Sequence, residues 1–246
     1  MLLVRRYLPI RFQVAIRTFI RFLRLPYQLV GDLVAIIRYG ENSPRKFQLL
    51  FVRTGDIYFE RPVGVVGAFK VHPSKHWCVV ADGDWDVTKY VASNTLRTLR
   101  IVRERVITGE SWEELGEHSW MREWIRRYGA HDDCRTDREI SLRCLKLDKL
   151  IKTAGEQRSL LTRREMNTTS FRESGGIEVA IGRGGEIIFA DAGTHRLGIA
   201  RALNIPIIPV CVVLVHPNST SSREWQRLSK MSDVLAIERD RIHSNI

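Results

Sequence analysis

The chain has 246 residues, 44% of them hydrophobic, with a formal charge of +11 and an isoelectric point near 9.9. That length and apolar content allow one sizeable domain with attachments. No Walker A, zinc-finger or HExxH spacing occurs, and Cys78, Cys134, Cys144 and Cys211 form no C-x-x-C pair. With no secretory signal apparent, reduced thiols in a cytoplasmic setting are expected.

Residues 1–40 hold seven arginines against one acid, Asp32. From Ile10 to Leu25 nothing breaks a helix. Gln13, Arg17, Arg21, Arg24 and Gln28 fall at helical spacing and form a polar stripe, with Pro26 bending or ending the helix. Ile16, Phe19, Ile20, Phe22 and Leu23 supply a wide apolar face. Arginine recurs too often for a spanning helix, which needs about 20 mostly apolar residues. A basic helix of this kind suits an anionic membrane surface. Packing on its own domain or on a partner is the alternative, and an organellar presequence is a third.

Residues 43–61 are poorly patterned, and Glu41-Asn42-Ser43-Pro44 has the composition of a linker. Gly64 to Pro73 reads as a strand running into a loop. His72 and His76 are separated by Pro73, which argues against a helical metal pair. Then comes Val79-Val80-Ala81-Asp82-Gly83-Asp84-Trp85-Asp86, three acids directly after an apolar strand end. Carboxylates on such a loop are placed to hold Mg²⁺ or to act as a base toward a hydroxyl. A solvated turn with Trp85 plugged into the core is the plainer alternative. Residues 88–145 read as a charged helical block in which Trp112, Trp120 and Trp124 chiefly pack.

The organising stretch runs from Ile177 to Val213. Val179 and Ile181, a Gly182-Arg183-Gly184-Gly185 turn, then Ile187 and Phe189 alternate like a half-buried hairpin. The glycines join two strands, unlike a dinucleotide fingerprint, which joins a strand to a helix. Asp191-Ala192-Gly193-Thr194-His195-Arg196 leads into a helix with Leu197, Ala200 and Leu203 on one face. Asn204 fits the helix exit, and Ile205 to Val213 reads as a buried strand. A loop at a helix N-terminus presents free N–H groups and the positive end of the dipole, which suits an anion. His195 and Arg196 add donors for phosphate. Arg223 to Arg241 reads as a final helix carrying Trp225, Leu228, Met231 and Leu235.

This run resembles the ParB/sulfiredoxin-like superfamily, whose members carry a short glycine loop ending in His-Arg or Arg-Arg, then a helix and a valine-rich strand. Sulfiredoxins have Gly-Gly-Cys-His-Arg, free-serine kinases Asp-Gly-His-His-Arg, and ParB proteins a Gly-Glu-Arg-Arg loop that binds CTP. Here Ala192-Gly193-Thr194-His195-Arg196 stands in that place. Thr194 replaces the sulfiredoxin cysteine, which argues against that chemistry. Asp191 lies one residue upstream of the kinase aspartate. Leu147-Asp148-Lys149-Leu150-Ile151 followed by Gly155 resembles a further superfamily helix.

The expectation is therefore a mixed α/β domain over 60–215 with a helical insertion at about 88–145, a basic helical extension over 1–42 and a C-terminal helix over 216–246. The resemblance implies a kinase-like enzyme using ATP or CTP and Mg²⁺ on a small-molecule or glycan-like hydroxyl. Gly193, Thr194, His195 and Arg196 would hold the nucleotide; Asp84, Asp86, Asp191 and His195 are the catalytic candidates, and Asp84 and Asp86 the metal ligands. The alternatives are a ParB-like nucleic-acid-binding regulator, which the charge of +11 favours, and a membrane-surface scaffold that binds a ligand without chemistry. Against the regulator, only about 30 residues follow the last expected strand, too few for a helix-turn-helix domain.

Overall fold

The computed structural model describes residues 26, 28–58, 61–62, 78–87, 89–90, 93–166, 172–190 and 192–244. The basic helix expected over 10–25, the strand expected over 64–73 and Asp191 lie outside them. In chain order the elements are α1 (28–39), β1 (Gln48–Arg53), a 3₁₀ turn (Thr54–Asp56), β2 (Ile57–Tyr58), β3 (Arg61–Pro62) and β4 (Lys89–Tyr90). There follow α2 (Ser93–Thr108), α3 (Glu117–Tyr128), α4 (Asp137–Gln157), α5 (Arg163–Met166), β5 (Ile177–Ile181) and β6 (Ile187–Phe189). The chain continues with α6 (Thr194–Ala202), β7 (Ile207–Val215), α7 (Pro217–Ser221) and α8 (Glu224–Ser244).

The main sheet is mixed, in the order β1-β7-β5-β6-β2, and β3 pairs with β4 in a separate two-stranded sheet. β7 is buried along all nine residues, as an apolar run with both faces and both edges covered should be. It pairs antiparallel with β1 (Leu50 opposite Val210) and parallel with β5 (Ile177 opposite Val210). It begins two residues later than expected, because the N–H of Ile205 still bonds back to Ala200 at the end of α6. Pro209 stands opposite Phe51, whose own N–H turns outward to Ser232 Oγ on α8 at 2.8 Å. That contact covers the β1 edge, which would otherwise expose unpaired backbone.

The β5–β6 hairpin has the expected register, Val179 opposite Phe189 and Ile181 opposite Ile187. Its alternation does not mark a solvent face. Val179 and Ile181 join the large helix-covered core, whereas Ala180 and Ile188 pack with Trp85 and Leu214 on the other side. The sheet also draws in Gln48–Arg53, upstream of the domain start expected at residue 60.

Residues 93–157 form α2, α3 and most of one helical layer. α4 opens with a capping box, in which Thr136 accepts from the Glu139 N–H and the Glu139 carboxylate accepts from the Thr136 N–H. Met121, Ile140 and Cys144 carry this layer into the core, and Trp112 donates to Asp148 at 2.9 Å. α2 crosses α6 closely because Gly198 has no side chain: a Cβ there would lie 3.2 Å from Val102. The insertion is thereby fixed against the helix that carries His195. No helix of the described residues is long and apolar enough to cross a membrane.

Candidate anion site at the start of α6

Gly193 sets the geometry of the loop. Its φ is 83°, and a Cβ there would lie 2.7 Å from Ile177 Cα and 2.8 Å from the Gly176 carbonyl oxygen. Only glycine fits a left-handed position pressed so closely on the first residue of β5. As N-cap it offers no side-chain acceptor, and the first helical bond runs from the Leu197 N–H to the Gly193 carbonyl. The N–H groups of the first turn, at Thr194, His195 and Arg196, therefore point out of the helix start.

Arg196 turns inward. Its guanidinium donates to the Leu161 carbonyl oxygen through Nη2 and approaches Met166 Sδ at 2.9 Å. Its Nε is buried and has no hydrogen-bond partner among the described residues, and the same holds for Nε of Arg163. The two cations are neighbours: burial, then the charge of Arg163, brings the Arg196 pKa down to about 10. The Arg163 side chain runs over Gly175 and Gly176, where added Cβ atoms would meet it at 3.6–4.0 Å. Glu173 lies below, accepting from the backbone N–H of Arg163 at 2.8 Å. Gly176, Gly193, Arg163 and Arg196 thus form a small cradle with two unsatisfied donors. A buried unsatisfied charged donor is costly, about 1–3 kcal/mol or more, unless a ligand completes it.

His195 faces the opposite way, into the insertion. Arg143 Nη2 lies 3.4 Å from its Nδ1 and is itself paired with Asp132. A guanidinium has no acceptor, so Nδ1 must accept and the ring proton sits on Nε2. Burial, reinforced by Arg143, pushes the His195 pKa down to about 4, so the ring is neutral at physiological pH. His131 is also shifted down, chiefly by burial, and stands edge-on to Trp120 at 4.7 Å. The Arg97 guanidinium lies over the other part of this cluster, 4.0 Å from the Trp120 ring centre, while bonding Glu117 at 2.6 Å. His195 is therefore a neutral Nε2–H donor, and its low pKa makes it a poor base.

The acidic loop is elsewhere. Asp86 Oδ2 accepts from the Arg183 N–H at 2.7 Å, and Arg183 Nη2 reaches Asp86 Oδ1 at 2.8 Å and Asp84 Oδ1 at 2.9 Å. Burial alone would raise the Asp86 pKa, but the Arg183 bonds hold it below the usual carboxylate range. Asp86 is occupied in clamping the β5–β6 turn, and Trp85 is plugged into the core. Gly193 abuts the first residue of β5, whereas Arg183 follows its last residue. At about 3.3 Å per residue the two places are more than about 13 Å apart. The structure does not bring Asp84 and Asp86 to the loop, and Arg183 engages both oxygens of Asp86 and one of Asp84. Among the described residues no group of three His, Cys, Asp or Glu is placed to hold a metal ion.

Arg163, Arg143 and His131 are not singled out by the sequence, which marks Trp120 only as one of three rings that chiefly pack. The chain has 39 lysines and arginines, and nothing local singles these out. Comparison of the chain with protein-family models, with curated proteins and with solved structures gave no match.

Proposed function

We propose that the chain is a nucleotide-binding phosphoryl-transfer enzyme of kinase type, taking ATP or CTP at the start of α6. The acceptor is a hydroxyl of a small molecule or glycan-like compound. The observation that carries this reading is the pair of buried, unpartnered Nε atoms of Arg163 and Arg196 beside the Gly176–Gly193 contact. Phosphate oxygens would accept from both Nε groups and from the first-turn amides, in the manner usual for helix-start anion sites. His195, turned toward the insertion and away from Arg196, would donate its Nε2–H to a different part of the nucleotide. Phosphoryl transfer relies mainly on positioning and charge neutralisation, which two arginines and a helix start supply. The proposal assigns no protein ligand to Mg²⁺ among the described residues; the metal would enter with the nucleotide. The ParB/sulfiredoxin-like resemblance of residues 192–196 supports the same place.

Calorimetric titration with ATP and CTP tests it. Arg163→Gln should weaken triphosphate binding at least tenfold, consistent with about 1.5–3 kcal/mol for a charged hydrogen bond, without loss of fold. Arg196→Lys should do the same. Undiminished affinity in folded Arg163→Gln protein would sink the proposal.

A second reading, attachment to a membrane surface, is favoured by α1. Leu29, Leu33 and Ile37 recur every four residues and are 52%, 56% and 74% exposed, with Val30 alongside. The apolar face expected in the first 25 residues would continue along this helix.

A further inference from the structure

A cleft of about 940 Å³ opens between the end of α1, the start of β1, the segment before α5 and α8. It is the size of a small-molecule site; it lies away from the acidic turn and backs onto the α6 cradle, with which it shares Glu173. Its wall is braced. Arg172 bonds Asp32 at 2.6 Å and the Lys46 carbonyl oxygen at 2.7 Å, and Trp225 donates to the Asn42 carbonyl oxygen at 2.8 Å. Glu173 is held by the backbone of Arg163 and Arg164.

Two features of this cleft point to a ligand. Ser43 lines it, is 5% exposed, and its Oγ has no hydrogen-bond partner among the described residues. A buried hydroxyl in that state is completed by a ligand group or by water. Arg45, Arg164 and Lys230 also line the cleft, and none has an ion-pair partner among the described residues. Glu41 and Asp233 stand on the same wall, again without ion pairs among the described residues. The uncharged lining is mostly polar, including Gln48, Thr162 and Ser229. Three cations suit a phosphate dianion, while carboxylates, amides and hydroxyls suit the hydroxyl groups of a polyol.

We infer that this cleft binds a hydroxyl-rich phosphate ester. The ligand has two natural sources, a soluble sugar phosphate or a phosphorylated lipid headgroup. The second is considered because the exposed face of α1 ends at the cleft rim. The inference is independent of nucleotide binding at α6, and its test uses no nucleotide.

Titrate the full chain with glucose 6-phosphate and with glucose, and mix it with phosphatidylcholine vesicles with and without phosphatidylinositol 4-phosphate. Repeat all arms with Arg164→Gln/Lys230→Gln, two exposed positions whose change should leave the melting temperature in place. The expected result is that a phosphate ester, free or on vesicles, binds at least tenfold better than its unphosphorylated counterpart, and that the double variant loses at least tenfold. Binding of the soluble ester assigns the cleft to sugar phosphates. Capture by phosphorylated vesicles alone, lost in the variant, assigns it to a headgroup. Failure of both esters to bind, equal binding of glucose and its phosphate, or full binding by the folded variant overturns the inference.

Discussion

Arg183 and Asp86, 97 positions apart in sequence, meet as a hydrogen-bonded ion pair that locks the β5–β6 turn to the loop after Val80. The Asp86 side chain is 3% exposed and the Asp84 side chain 87%. Removing one partner of a buried pair leaves the other uncompensated, at about 3–5 kcal/mol when both are deep. Arg183 is partly exposed, which lowers the figure. Asp86→Asn should therefore cost about 1–3 kcal/mol in urea unfolding, and Asp84→Asn less than about 0.5 kcal/mol. Equal, small effects of both changes would contradict a clamping role for Asp86.

Gly193→Ala should be among the most damaging single changes to the α6 loop. The left-handed backbone costs an alanine about 1–2 kcal/mol, and the clash with Ile177 and Gly176 comes on top. A loss of at least about 2 kcal/mol is expected by equilibrium unfolding. Wild-type stability in the variant would show that the loop does not hold this close approach.

Glu178 gives the fold a pH dependence of definite sign. It is buried on the sheet with one carboxylate oxygen unpartnered, and burial, partly offset by Lys46, raises its pKa to about 7. Between the unfolded value of 4.5 and about 7 the folded chain binds the extra proton, so this group's stabilisation is complete below 4.5 and is lost as pH rises through 7. Glu178→Gln keeps the neutral shape. The variant should exceed the wild type in stability above pH 7, by on the order of 3 kcal/mol at most. The advantage should vanish as the pH falls toward 4.5. Thermal melts of both proteins across pH 4.5–8.5 decide it; a pH-independent difference would rule out Glu178 as the titrating group.

Membrane attachment through α1 predicts a dependence on both lipid and side chain. Each arginine near an anionic surface contributes about 1 kcal/mol, and the apolar face adds burial. Leu29, Leu33 and Ile37 changed together to serine should reduce co-sedimentation with anionic vesicles severalfold without changing the melting temperature. Salt should weaken the wild-type attachment. Equal pelleting of the two proteins would dismiss α1 as an anchor.

The hairpin, α6, β7 and α8 could be read along the chain because each carries its own periodicity and its own stop signal. β1 could not. Phe47-Gln48-Leu49-Leu50-Phe51-Val52 alternates poorly because Leu50 and Val52 enter the core while Leu49 and Phe51 on the other face are half-buried, with the Arg239 guanidinium of α8 over the Phe51 ring. The anion loop was legible from Gly193 to Arg196 as a string of donors, but not the direction of each side chain. Successive helical residues diverge by about 100°, which sends His195 into the insertion and Arg196 toward Leu161. The acidic loop misled for a different reason. Three carboxylates in five residues look like a metal site until their counter-charge is located, and Arg183 lies on a hairpin that no local pattern connects to them.

The placement of β7 bears on the order in which the molecule is made. β7, which joins β1 to β5, is the last strand in the sequence and β1 the first, with Leu50 waiting for Val210. During synthesis β1 emerges long before the strand that joins it to β5, and that side of the sheet closes only when residues near the C-terminus leave the ribosome. Pairings so distant in sequence are slow to form because loop closure precedes any gain from contact. A chain stopped before Ile207 would keep the β5–β6–β2 pairings but leave β1 with no strand to join.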